Sequence, residues 1–150
     1  MKTLIVYRSM LGSSKNYAIW MGKSLSAKIV KYSDVKNKEL AEYDQIILVG
    51  GTYAGWMSLD GFIRRKWDYL KGKKLILADV GLAQKDSSDT QRSWGKMLPE
   101  FRKTAKMYKV PGKIGRLNEE NVSEKNIKEI VDFARGAGKI VNGKRKKTVV

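Results

Sequence analysis

Three short runs dominated by Leu, Ile and Val, at Thr3–Tyr7, Gln45–Val49 and Lys74–Ala78, constrain this chain more than any other feature. Each is followed by a glycine-containing turn. An unbroken apolar run of strand length is buried on both faces, as in a parallel sheet covered by helices. Between the runs lie segments with helical spacing. Tyr17, Trp20, Met21 and Leu25 share one face, Ile63, Trp67 and Leu70 another, and Ile127, Ile130, Val131, Ala134 and Val141 form the clearest stripe. Asn121 and Ser123 compete as N-caps for that last helix, and Gly136 and Gly138 weaken its end. Ala27–Tyr32 and Met107–Val110 have the mixed polarity of edge strands, with Pro111 marking where the second stops pairing. Lys36–Glu42 and Asp89–Phe101 read as further helices, and Trp20 and Trp67 as core packing.

Five strands alternating with helices predict one α/β domain: a doubly wound five-stranded parallel sheet, order 2-1-3-4-5, with right-handed crossovers and helices on both faces. The domain is expected over residues 1–141, followed by a basic tail over 142–150. Ligands of such sheets sit beyond the carboxyl ends of the strands, at the switch point between strands 1 and 3. Three loops therefore become candidates.

The first, Arg8–Ser14, lies between a strand and an amphipathic helix, and four of its seven residues are Ser or Gly. Backbone N–H groups at a helix N-terminus, with small hydroxyl side chains beside them, cradle a phosphate. An ordinary turn in which Ser13 or Ser14 caps the helix is the competing reading. The spacing fits neither a Walker A loop nor GxGxxG. The second loop, Gly50–Ser58, combines glycines that let a backbone approach a planar ring with the aromatic faces of Tyr53 and Trp56. The third, Asp79–Thr90, has the polar, backbone-rich character suited to the edge of a pyrimidine-like ring.

The chain has neither His nor Cys. That removes disulfides, thiolate or imidazole zinc sites, cysteine-ligated clusters, a cysteine nucleophile and a histidine base. Reactivity must come from carboxylates, hydroxyls, lysines or a bound cofactor. No apolar run approaches the ~20 residues of a membrane span, so a cytoplasmic location is expected. The net charge of +16 is most biased in the carboxyl-terminal third, whose end carries Lys144–Lys147.

The stretch Tyr7–Ala18 resembles the phosphate loop of the flavodoxin family, Ser9, Gly12 and Ser14 matching its hydroxyl, glycine and hydroxyl positions. Gly50–Gly55 resembles the ring-contacting loop of flavodoxin-domain proteins in the protoporphyrinogen-oxidase-like branch. The resemblance implies a flavodoxin-like FMN-binding electron-transfer protein. It implies that Ser9, Met10, Leu11, Gly12, Ser13 and Ser14 hold the FMN phosphate, that Gly51, Thr52, Tyr53, Ala54, Gly55 and Trp56 line one side of the flavin ring, and that Gly81, Leu82 and Ala83, with Trp94, line the other. It also implies a Gly55–Trp56 peptide able to reorient toward the flavin. Leu11 stands where the family usually has threonine, and Arg8 and Lys15 flank the loop as compensating donors.

The cofactor would then carry the redox chemistry that the side chains lack. The basic charge points to acidic redox partners, with peripheral contact to an anionic membrane as a further expectation. A flavin-dependent oxidoreductase acting on a quinone, a porphyrinogen or another small substrate is the enzymatic alternative. A nucleic-acid-binding α/β module is the other, disfavoured because the aromatics are not interleaved with Lys and Arg as stacking platforms.

Overall fold

Leu4 and Val6 face one side of a sheet and Ile5 the other, and all three are fully buried, as a strand covered on both faces requires. The computed structural model describes residues 1–82 and 87–136. Within them the strands are β1 (Thr3–Arg8), β2 (Lys28–Lys31), β3 (Gln45–Tyr53), β4 (Trp56–Met57), β5 (Lys74–Gly81) and β6 (Lys106–Pro111). The order is β2-β1-β3-β5-β6, every pair along that path parallel, with β4 antiparallel to β3. Counting the parallel strands alone, this is the expected 2-1-3-4-5. The extra strand arises because β3 runs on past the anticipated end at Val49 and doubles back as a hairpin.

The helices are α1 (Ser13–Leu25), α2 (Asn37–Ala41), α3 (Asp60–Arg65), α4 (Trp67–Leu70), α5 (Ser88–Lys96), α6 (Pro99–Thr104) and α7 (Lys128–Ala134). On one face, Leu4, Val6, Ile46, Leu48, Leu75 and Leu77 pack beneath Leu40, Phe62, Ile63, Leu70 and Phe101, residues of α2, α3, α4 and α6. On the other, Ile5, Ile47, Val49, Ile76 and Ala78 meet Tyr17, Ala18 and Met21 of α1 and Ile130, Val131 and Ala134 of α7. Trp20 packs edge-on against Tyr17, and Trp67 against Phe101, so both serve the core as expected.

Two anticipated helices are divided. The Asp89–Phe101 segment breaks at Met97, whose backbone is extended, because Pro99 starts a new helix at its first position, where the missing N–H costs nothing. The Ile63–Leu70 segment pauses at Lys66. Of the two cap candidates before the last helix, Ser123 is the one used: its hydroxyl accepts from Lys125 N at 3.2 Å and starts a tight turn over Glu124–Ile127 that leads into α7. Among the described residues, no helix is long and apolar enough to cross a membrane, and no cluster of acidic side chains could hold a metal ion. Ala83, Gly138, Val141 and the Lys144–Lys147 tail lie outside the described residues.

Candidate functional site

β1 ends at Arg8, and the chain then makes a turn closed by Ser9, whose Oγ accepts from Gly12 N at 3.1 Å. Gly12 adopts φ +95°, a conformation open to glycine and strained for other residues, and it delivers the chain into α1. Gly12, rather than Ser13 or Ser14, occupies the cap position. No side chain therefore caps α1, and no acidic residue stands in its first turn, so the positive end of the helix dipole and its free N–H groups remain available. Ser13 and Ser14 are buried in that first turn, and Ser13 Oγ accepts from Lys113 N at 3.2 Å, tying it to the segment after β6. Met10 and Leu11 are exposed.

The second loop is mostly strand. Thr52 pairs with Met57 and Tyr53 with Trp56, leaving Ala54 (φ +51°) and Gly55 (φ +78°) as a two-residue turn with both central residues left-handed, the geometry that matches strand twist. A Cβ on Gly51 would stand 2.5 Å from the Tyr53 hydroxyl oxygen, so the bare glycine is what lets the tyrosine fold back over the strand. Burial pushes the Tyr53 hydroxyl pKa up, against the opposing pull of the Arg8 charge. Arg8 does not turn toward the serine loop as a compensating donor. Its guanidinium donates to Ser58 O at 2.8 Å and lies 4.7 Å from the centre of the Tyr32 ring and 5.7 Å from that of Trp56, clamping the hairpin to the end of β1.

The ends of β5 and β6 carry a buried ion pair. Asp79 and Lys109 are direct register partners, Lys109 Nζ stands 3.4 Å from Asp79 Oδ1, and the side chains are 6% (Lys109) and 5% (Asp79) exposed. Thr52 Oγ1 donates to the same carboxylate oxygen at 2.6 Å and lies 3.4 Å from Ser93 Oγ. Burial raises the Asp79 pKa, with the Lys109 charge and then the Thr52 hydroxyl opposing it.

These elements enclose a cavity of about 370 Å³ at the carboxyl ends of the strands. Of the anticipated site residues, Leu11 and Ser13 line it from the first loop, Thr52, Tyr53, Ala54 and Gly55 from the hairpin, and Gly81 and Leu82 from the end of β5. Ser9, Gly12 and Ser14 shape the turn and the helix start, Gly51 lies under Tyr53, and Met10 is exposed; none of these five lines the cavity. Trp56 stacks near Arg8 and is 45% exposed. Trp94 packs edge-on against Phe101 at 6.1 Å on the core side, away from the cavity lining. Sequence reasoning missed a fourth wall made by Lys109, Gly112, Lys113 and Ile114, with Val80 and Asp89 completing the lining. The signal available was the Pro111-Gly112 pair after a strand whose place in the sheet put its carboxyl end at this same edge.

The flavodoxin domain family model matches residues 4–138 of the chain. A comparison with curated proteins found no match. Among solved structures, an archaeal flavodoxin superposes with a TM-score of 0.57 at 18% identity, covering 90% of this chain and 99% of its own. Oxidised flavodoxin 2 from Bacillus cereus gives 0.58 at 20% identity, with 90% and 99% covered. A Lactobacillus acidophilus flavoprotein solved in complex with FMN gives 0.54 at 12% identity, with 73% and 91% covered. At these identities the likeness is one of fold.

Proposed function

The chain belongs to the flavodoxin domain family, and from that membership we propose that it binds FMN in the cavity at the carboxyl ends of its strands and acts as an electron-transfer protein. The observation that carries the reading is the uncapped start of α1, without an acidic neighbour, opening beside a cavity whose facing wall is the Thr52–Gly55 hairpin. A phosphate needs the first of these features and a planar ring the second. The residues fit the group. The first-turn N–H groups of α1 and the Ser13 hydroxyl would hold the phosphate, while Thr52, Tyr53 and Gly55 on one side and Gly81 and Leu82 on the other would hold the ring. Bound FMN supplies the redox chemistry, and this chain's residues bind it, orient it and set the charge around it. Leu11 lines the cavity with an apolar side chain where the family usually has threonine, so the phosphate rests on backbone donors and Ser13.

The +16 charge supports an acidic partner, and because the aromatics are not interleaved with Lys and Arg as stacking platforms the reading favours an acidic redox protein over nucleic acid, with a cytoplasmic location. Adding FMN to the purified protein and desalting tests the binding step: retained visible flavin absorption with quenched flavin fluorescence is the expected result. A desalted protein with no flavin absorption would falsify it. Turnover of a quinone or porphyrinogen by the loaded protein would replace the electron-carrier reading with the enzymatic one.

A further inference from the structure

On the reading of the cavity as a flavin site, which the following rests on, one lining side chain has bonding capacity that its single protein partner meets only in part. The Lys109 side chain is 6% exposed, and its nitrogen is fully buried without a hydrogen-bond partner among the described residues. An ammonium carries three donors. Here they face a single carboxylate oxygen at ion-pair distance, Asp79 Oδ1, which already accepts from Thr52. Burying such a group without acceptors costs free energy that a bound acceptor would recover. The cavity supplies the place for one: Lys109 lines it, and its nitrogen lies 3.0 Å from where a Cβ on Gly81 would stand, so the bare glycine is what lets the ammonium sit against the end of β5 in that wall. Gly81 and Thr52, the two residues that flank the lysine, belong to the two walls assigned to the ring, whereas Leu11 and Ser13 mark the phosphate end.

We propose that the Lys109 ammonium, backed by Asp79, donates to an acceptor atom of the flavin ring and stabilises the ring's two-electron-reduced anion relative to its oxidised form. Reduction by two electrons from an external donor, with uptake of one proton, leaves one negative charge on the ring. A cation held out of water beside it offsets that charge more strongly than surface lysines, which salt and solvent screen.

The test compares the wild type with Lys109→Gln, which removes the charge, and Lys109→Arg, which keeps it. Affinities for oxidised FMN and for riboflavin are measured by fluorescence quenching, and the potentials of the bound flavin by dithionite titration with mediators. For Lys109→Gln, affinity for oxidised flavin falls, because the charged donor to the ring is lost. Affinity for the two-electron-reduced form falls at least tenfold relative to the one-electron-reduced form, about 59 mV in the second one-electron potential. Lys109→Arg keeps the potential near that of the wild type, and the shift is the same with riboflavin as with FMN. Unchanged potentials, equal loss of affinity in all redox states, or an effect seen with FMN and absent with riboflavin would each overturn the inference, the last by assigning Lys109 to the phosphate. If Lys109→Gln does not fold, Asp79→Asn combined with Lys109→Met removes the whole pair and must show a smaller shift of the same sign, since the opposing Asp79 charge goes with it. A wild type that binds no flavin at all overturns the underlying reading instead, and that result is separate from any of these.

Discussion

Ala54 is the least comfortable residue of the site. It holds φ +51° in a turn whose geometry favours Asn or Gly, and its neighbour Gly55 holds +78°. The two positions invite opposite substitutions. Ala54→Gly relieves a side chain of its left-handed backbone and is expected to raise stability by up to about 1 kcal/mol. Gly55→Ala adds a second strained residue and is expected to lower it by about 1–2 kcal/mol. Urea denaturation of both variants checks the pair, and equal shifts of one sign would contradict the turn geometry. Single residues also mark where sequence reasoning stops. The serines after β1 and the glycines after β3 were legible as a loop signature because Ser and Gly have few other reasons to cluster there. Lys109 was not legible, since a lone lysine in a mixed-polarity strand looks like a solvated edge position, and only the register that sets it against Asp79 takes it out of water.

At the level of elements, the sequence located all five parallel strands to within a few residues, because runs such as Leu75–Leu77 have no polar face to mislead. It was weaker where tertiary pairing decides. The β3–β4 hairpin depends on strand pairing beyond Val49 and on the Arg8 clamp, neither of which has a periodicity of its own. The strand ends also carry a pH dependence. Asp79 sits at the β5–β6 seam with its pKa raised above 3.8 chiefly by burial, so the folded chain takes up that proton at a higher pH than the unfolded chain. Between the folded value and 3.8 the native state holds more protons, and the contribution of Asp79 to stability therefore grows as pH falls through that window and levels off below it. Relative to Asp79→Asn, which cannot titrate, the wild type is expected to gain stability on acidification from neutral pH toward about 4. Denaturation curves at a series of pH values read this directly. A wild type that instead loses ground to the variant over that range would mean a carboxyl held down by Lys109.

For the whole molecule, the two apolar clusters that sandwich the sheet carry no charge, while the chain carries a net +16. For the proposed acidic partner, long-range attraction would set how fast it arrives. Electron exchange between the FMN-loaded protein and an acidic ferredoxin-type protein is expected to slow by about tenfold or more between roughly 0.02 M and 0.5 M salt, while exchange with a basic partner changes little or speeds up. Stopped-flow absorbance at several ionic strengths measures it, and a flat salt profile with the acidic partner would remove charge steering from the account. The strand order has a further consequence, for the order in which the molecule can be assembled. From β3 onward each parallel strand joins the edge left by its predecessor, β5 on β3 and β6 on β5. A chain emerging from the ribosome therefore completes the serine turn and the hairpin well before the Gly112–Ile114 wall and Lys109 exist, and the nascent protein passes through a stage with a half-built pocket. On the proposed function, full retention of FMN is expected only once β6 closes the pocket, and the ligand would then act as a lock on the finished sheet rather than a template for it.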